Sequence, residues 1–99
     1  MKEYRNEKGR LHRIDGPAVE SPSGTKEWYI EDKLHRVDGP AIEDSDGSKY
    51  WLIEGKRHRV DGPAYEGSNG IELWYYEDKL IDVESQDQFE RLLRLKAFW

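Results

Sequence analysis

The chain has 99 residues, with 16 Lys and Arg against 21 Asp and Glu, a net charge of −5 and no Cys. Disulfides, thiol chemistry and zinc–thiolate sites are therefore excluded, and the acidic balance argues against general nucleic-acid binding, which favours a basic surface. Hydrophobic residues make up only 35% of the chain, which predicts a thin core, but four Trp and six Tyr argue against disorder.

The N-terminal residues, Met1 to Arg5, lack the apolar core of a signal peptide. No run of the chain approaches the ~20 apolar residues that a membrane helix needs. Together with the lack of Cys, these features lead us to expect a cytoplasmic protein that does not bind membranes.

A block of eight residues recurs with a period of 23. Residues 11–18 read Leu-His-Arg-Ile-Asp-Gly-Pro-Ala, and the block returns at 34–41 and, beginning with Arg, at 57–64. A fixed period of this length indicates a repeat array. We expect one domain over residues 1–99, with repeats over 4–84 and a different segment over 85–99.

Each unit is predicted to contain one β-hairpin. Every unit contains, in order, a short strand, a turn with Gly24, Gly47 or Gly70, and an aromatic strand. Asp-Gly and Asn-Gly favour a hairpin turn, because they adopt positive φ at little cost. Each Asp-Gly-Pro linker contains a Pro, which a sheet accepts only at the start of a strand or on an edge strand. In the partial first unit, Tyr4 aligns with Glu27. Stacked units would form an elongated antiparallel sheet.

Residues 86–97 are predicted to form an amphipathic helix. Ser85 and Gln88 have capping-box spacing, and Phe89, Leu92 and Leu93 recur at helical spacing. We expect this helix to cap the array, since open arrays need a polar end. The alternative is a partner-binding element that presents Phe98 and Trp99 as an exposed anchor. The predicted fold is therefore mainly all-β, an elongated antiparallel sheet of stacked hairpin repeats with one C-terminal capping helix.

The stretch Trp51-Leu52-Ile53-Glu54-Gly55-Lys56-Arg57-His58 resembles the MORN repeat, and more closely its variant form. The Leu-His-Arg-x-Asp-Gly-Pro-Ala block resembles a repeat common in small proteins of bacteriophages and their hosts. Here Asp-Gly-Pro replaces the usual Gly-x-Gly return of MORN units. The resemblance implies a hairpin array used for binding, and it implies no enzyme.

Three copies of a His-Arg-x-Asp group invite a metal or catalytic interpretation. Two strands per unit place equivalent residues ~10 Å apart, too far for neighbouring His side chains to share a metal. Acid–base catalysis needs two unlike groups in a closed pocket, which identical copies on an open sheet do not provide. We predict that each His bonds a neighbouring turn and each Arg pairs with its Asp. We predict no catalytic residue, metal or cofactor.

Two charged surfaces are candidate binding sites. The acidic one, with the C-terminal aromatic pair, comprises Glu43, Asp44, Asp46, Glu66, Phe98 and Trp99, and Glu20 belongs to the same acidic row. The basic stripe, predicted at the opposite edge, comprises Lys33, Arg36, Lys56, Arg57 and Arg59. The acidic surface would bind a protein, by imitating nucleic acid, whereas the basic stripe would bind phosphates.

The function that we expect is a non-enzymatic protein-binding module. The resemblance to phage-borne repeats suggests a phage-encoded inhibitor of a host defence or regulatory protein, acting in the host cytoplasm. The alternative is nucleotide or nucleic-acid binding through the basic stripe. Exposed sheet edges also allow a homodimer.

Overall fold

Short antiparallel strands dominate the molecule. The computed structural model describes residues 1–95, which form twelve strands and one helix. Their bounds are Lys2–Glu3 (β1), Val19–Glu20 (β2), Lys26–Glu27 (β3), Tyr29–Ile30 (β4), Lys33–Leu34 (β5), Ile42–Glu43 (β6), Lys49–Tyr50 (β7), Leu52–Ile53 (β8), Lys56–Arg57 (β9), Tyr65–Glu66 (β10), Glu72–Tyr76 (β11), Lys79–Ile81 (β12) and Gln86–Leu95 (α1). The predicted fold class, mainly β with one C-terminal helix, is confirmed.

Eight strands form one continuous antiparallel sheet in the order β1-β2-β3-β6-β7-β10-β11-β12. The turns over residues 21–25, 44–48 and 67–71 connect successive strands of this sheet, and each contains a Gly at φ between 90° and 100°. The predicted Gly turns are therefore confirmed. Each unit adds two strands, so the sheet grows by ~10 Å per unit, and the molecule measures 43 × 29 × 18 Å.

Units two and three each contain a second hairpin that the sequence analysis did not predict. The aromatic strand is interrupted at Trp28 and at Trp51, and the residues that follow each Trp form the separate pairs β4–β5 and β8–β9. The backbone N–H of Asp32 donates to the carbonyl of Leu11 in the preceding unit (2.9 Å), and the same bond recurs one and two units later. The array is therefore joined by two rows of backbone hydrogen bonds.

The first unit is offset by one residue from its predicted alignment. The N–H of Tyr4 donates to the carbonyl of Ala18, just as the N–H of Trp28 donates to Ala41, both at 2.8 Å. Tyr4 therefore occupies the Trp column, and its alignment with Glu27 was wrong. The physical reason is a longer turn between Tyr4 and His12, which holds one residue more than the turn between Trp28 and His35.

The interior of the array is built from small side chains. Ala18, Ala41 and Ala64 are 0–1% exposed, and each lies at the start of a strand after the Pro of the linker. A larger apolar cluster lies at the C-terminal end, where Trp74, Ile81 and Phe89 pack together. The thin core that the composition predicts is thus concentrated in the last unit.

The helix α1 begins as predicted. Ser85 accepts a hydrogen bond from the backbone N–H of Gln88 at 3.2 Å, and the Gln88 side chain accepts one from the backbone N–H of Glu84 at 2.8 Å. The reciprocal bond of the capping box thus reaches Glu84, one residue before the cap. Phe89 is fully buried against Trp74 and Ile81, so the predicted C-terminal helix is confirmed and packs on the last unit. The last two residues of the predicted range 86–97 lie outside the described residues.

Candidate binding face

The Arg of each block is held by a network that repeats in all three copies. The Arg36 guanidinium stacks on the ring of Trp28 at 3.9 Å and donates to Asp38 at 3.2 Å, to the carbonyl of Pro40 at 3.1 Å and to Glu43 at 3.1 Å. Arg13 and Arg59 repeat these four contacts in their own units. The predicted Arg–Asp pairs are therefore confirmed, within a larger network than predicted.

This network explains why Gly precedes Pro in the linker. A Cβ at Gly39 would lie 2.9 Å from the central carbon of the Arg36 guanidinium, and Gly16 and Gly62 face Arg13 and Arg59 in the same way. The φ of these three glycines lies outside the left-handed region. The close approach of a guanidinium to the backbone therefore favours Gly at the middle position of Asp-Gly-Pro.

Each His accepts a hydrogen bond from the tight turn of the next unit. Nδ1 of His12, His35 and His58 accepts the backbone N–H of Glu31, Glu54 and Glu77, respectively, at 2.9–3.1 Å. The three Glu residues have φ between 46° and 50°, so the bond stabilises a turn that L-residues adopt at a cost. The predicted bond to a neighbouring turn is confirmed. Because Nδ1 accepts, Nε2 carries the proton of the neutral ring.

The basic stripe is largely neutralised. Arg36 and Arg59 are engaged in the networks above, and Arg57 pairs with Asp78 at 2.6 Å and stacks on the ring of Tyr75. That pairing raises the pKa of Arg57, chiefly through the Asp78 hydrogen bond. Among the described residues, only Lys33 and Lys56 of the predicted phosphate-binding set have no ion pair.

The acidic row does not form an opposite edge, so that prediction was wrong. Glu43 and Glu66 bind Arg36 and Arg59 at 3.1 and 2.9 Å, because the strand after each linker returns directly over the Arg of its own block. Glu20 does the same with Arg13. In the sheet, Glu20, Glu43 and Glu66 also alternate with Lys26 and Lys49 as cross-strand partners.

Asp44 and Asp46 lie in the turn over residues 44–48. Asp44 accepts a hydrogen bond from Thr25 at 3.0 Å, which links two neighbouring turns. Asp46 accepts the backbone N–H of Ser48 at 2.8 Å, and this bond lowers the pKa of Asp46. Both carboxylates therefore stabilise turns. The proposed anchor residues Phe98 and Trp99 lie outside the described residues.

The sequence analysis missed an exposed apolar ridge in each linker. The variable residue of His-Arg-x-Asp is Ile14, Val37 or Val60, and these side chains are 84%, 81% and 48% exposed. The sequence feature that could have identified the ridge is an aliphatic, β-branched residue at the same position of three otherwise polar blocks.

An open groove lies between successive ridges. The groove between Ile14 and Val37 has Trp28, Ile30 and His35 along its floor and a volume of about 730 Å³. The groove between Val37 and Val60 has Trp51, Ile53 and His58 in the equivalent positions and a volume of about 570 Å³. We name them groove A and groove B. Their rims carry the carboxylates of Asp15, Asp38 and Asp61, which are 83–88% exposed.

Within residues 1–95, no group of three or more His, Asp and Glu side chains is arranged to hold a metal ion. The ten-residue helix α1 is too short to cross a membrane, and the described part of the chain contains no other helix. Comparison of the chain with family models, with curated proteins and with solved structures finds no match.

Proposed function

We propose that this protein is a non-enzymatic protein-binding module that binds its partner across grooves A and B. The observation that carries the proposal is the exposure of Ile14 and Val37, at 84% and 81%, on ridges that border two equivalent grooves. Aliphatic side chains that recur at a fixed spacing and stay in water offer apolar area to a partner. Groove volumes of several hundred Å³ suit side chains of a protein ligand.

The two charged surfaces support binding less well. A phosphate ligand would compete with carboxylates for Arg36, Arg57 and Arg59, and within the predicted phosphate-binding set it would find ammonium groups without an ion pair at Lys33 and Lys56. Imitation of nucleic acid by the acidic row would require Glu43 and Glu66 to leave their Arg partners. The apolar ridges have no such competitor.

The finer proposal concerns the partner and the compartment. Resemblance of the repeated block to repeats of phage proteins supports a host defence or regulatory protein as the partner, inhibited in the host cytoplasm. The competing proposal is that the protein forms a homodimer through the exposed edge of its long sheet.

The test compares one ridge substitution with a matched control. The immobilised chain is used to capture partners from a bacterial lysate, and the Val37→Glu variant is compared with Leu80→Glu. Leu80 is also an exposed aliphatic residue, at 56% exposure, but it pairs with Tyr75 and not with the Trp column. We expect Val37→Glu to lose capture and Leu80→Glu to keep it. Equal capture by both variants would contradict the proposal.

Salt dependence distinguishes the alternative. Binding of nucleic acid or nucleotide weakens steeply and linearly with the logarithm of salt concentration, whereas apolar binding does not. We expect capture to persist between low and moderate salt. Static light scattering on the unbound chain reports a homodimer directly.

A further inference from the structure

The array contains a third groove, and the chain itself fills it. This groove C follows the ridge of Val60 and is built from the same columns as grooves A and B. The Trp column continues to Trp74, the Ile column to Tyr76, the His column to Ile81 and the ridge column to Val83. All four residues belong to the apolar cluster around Phe89 of α1. The helix therefore lies over the same columns that line grooves A and B, and in those two grooves the guanidinium groups of Arg36 and Arg59 stack on the Trp rings.

Phe89 and Gln86 are among the side chains that hold α1 in groove C. Phe89 is fully buried against Trp74 and Ile81. The Gln86 side chain accepts a hydrogen bond from the indole N–H of Trp74 at 2.8 Å and donates one to the carbonyl of Val60 at 3.0 Å. The Gln amide thus joins the floor of the groove to its ridge, and the apolar side chain three positions later fills the space beside it.

The filled groove is measurably more buried than the open ones. Val60 is 48% exposed, against 84% for Ile14 and 81% for Val37. Gly62 and Pro63 of the linker are buried, whereas the equivalent Gly and Pro residues of the other two linkers are only partly so. Groove C therefore shows how much of the linker surface one helix covers.

Grooves A and B keep the same two hydrogen-bonding groups unused. In groove A these are the indole N–H of Trp28 and the carbonyl of Ile14, and in groove B they are those of Trp51 and Val37. No residue of the described part of the chain donates to those carbonyls or accepts from those indoles. Each pair is separated by 14 residues, as Val60 and Trp74 are. Each open groove thus presents one donor and one acceptor at the repeat positions that Gln86 bridges in groove C.

We propose that each open groove binds an amphipathic helix of a partner protein, anchored by a Gln side chain and by an apolar side chain three positions later. This inference rests on the proposed function and specifies its ligand. The partner's Gln would bond the indole N–H and the ridge carbonyl, as Gln86 does in groove C.

Differences between the grooves define the rest of the partner. His35 and His58 replace Ile81 on the floor, and each retains an Nε2–H that can donate. Exposed carboxylates at Asp15, Asp38 and Asp61 border the open grooves. A partner helix with Lys or Arg beside its apolar stripe would complement these rims.

The spacing of the grooves also suits helices. Two strands per unit place equivalent grooves ~10 Å apart, and packed helices lie 8–10 Å apart. A helix in groove B would therefore lie beside α1, and one in groove A beside that. A second copy of this chain is a poorer occupant, because its helix would have to leave its own groove C to fill another.

The test uses a peptide with the sequence of residues 84–95 and the change Arg91→Lys, acetylated and held helical by a lactam between the Asp87 carboxyl and the amine introduced at position 91, both exposed positions. It is titrated into the full-length, 15N-labelled chain, and the indole N–H signals are assigned through Trp→Phe variants. We expect the Trp28 and Trp51 signals to shift while that of Trp74 stays, with two peptides bound per chain. Affinity on the order of 100 µM is expected for a short helix.

Matched peptides test the anchor. Gln86→Ala should weaken binding about tenfold, since two hydrogen bonds are lost, and Phe89→Ala should weaken it at least as much, whereas Arg94→Ala, at an exposed position, should not. The inference is overturned by unmoved Trp28 and Trp51 signals at about 1 mM peptide, by a shift confined to Trp74, or by equal binding of the Gln86→Ala peptide. If the peptide fails while lysate capture still depends on Val37, only the helical ligand is wrong. If capture ignores Val37, the proposed function itself fails.

Discussion

The interior units and the C-terminal unit cover the same Trp column by different chemistry. In the interior, Arg36 and Arg59 lie over Trp28 and Trp51 and are themselves held by carboxylates and a backbone carbonyl. In the last unit Asp82 occupies the Arg column, and Phe89 packs on Trp74 instead. The Arg side chain covers the Trp ring from within the array and leaves the rest of the groove open, whereas α1 covers Trp74 and fills groove C.

The largest expected loss of stability comes from removing the Phe89 ring that packs on Trp74. Phe89→Ala deletes a fully buried ring from the cluster with Trp74 and Ile81, and truncation of a buried Phe costs about 3–5 kcal/mol. We expect the urea midpoint to fall strongly and Trp fluorescence to shift to the red. Phe89→Leu, which keeps most of the volume, should lose much less. An unchanged midpoint would mean that α1 does not stabilise the array.

Removing the Arg36 guanidinium that stacks on Trp28 should cost less stability. Arg36→Met keeps a long side chain over Trp28 but leaves the Pro40 carbonyl and Glu43 without their donor. An unsatisfied, partly buried group costs about 1–3 kcal/mol, so we expect a loss in that range by urea denaturation. The control is Arg94→Met on the exposed side of α1, where a change within about 0.5 kcal/mol is expected. Equal losses would contradict a structural role for the Arg36 network.

The close approach of Gly39 to Arg36 predicts a coupling. Gly39→Ala places a Cβ 2.9 Å from the guanidinium carbon, and overpacking of this kind costs about 1–3 kcal/mol. In the double variant with Arg36→Met the clash is relieved, so the two losses should be less than additive. Additive losses in the double-mutant cycle would show that the Gly serves another purpose.

A smaller effect is expected at the His column. His35→Phe keeps an aromatic ring of similar size but removes the acceptor for the backbone N–H of Glu54. The cost of one hydrogen bond is about 1 kcal/mol. Amide hydrogen exchange at Glu54 should accelerate, while exchange at Glu31, which bonds His12, stays unchanged. Unaltered exchange at Glu54 would contradict the role assigned to His35.

The smallest effect concerns pH. The Ser48 N–H lowers the pKa of Asp46 in the folded state, so the folded chain binds this proton less readily than the unfolded chain. The associated stability is present above the usual Asp pKa of about 4 and is lost as pH falls through the folded pKa. We expect Asp46→Asn to lose less stability than the wild type between pH 7 and acidic pH. A wild-type curve that parallels the variant's would show that the turn is insensitive to this proton.

The repeat allowed the sheet, the Gly turns and the Arg–Asp pairs to be predicted, and the helical spacing of Phe89, Leu92 and Leu93 allowed the C-terminal helix to be predicted. The second hairpin was missed because the strand from Lys26 to Ile30 contains no turn residue, and only a hydrogen-bond pattern shows its break at Trp28. The separation of charges was wrong because Arg36 and Glu43 are seven residues apart, and only the return of the chain after Pro40 brings them together. The ridges were missed because one aliphatic residue in a polar block carries no periodic signal within its own unit.

The backbone hydrogen bonds that join each unit to the next allow the array to be lengthened by whole units. Because every junction uses the same contacts, one more 23-residue block would lengthen the chain by one groove and leave α1 in place. If grooves A and B bind helices as proposed, each added block would raise the number of helices bound per chain without any change in the existing grooves. A partner that displays several helices at ~10 Å intervals would gain avidity with each block, since every later helix binds at high effective concentration.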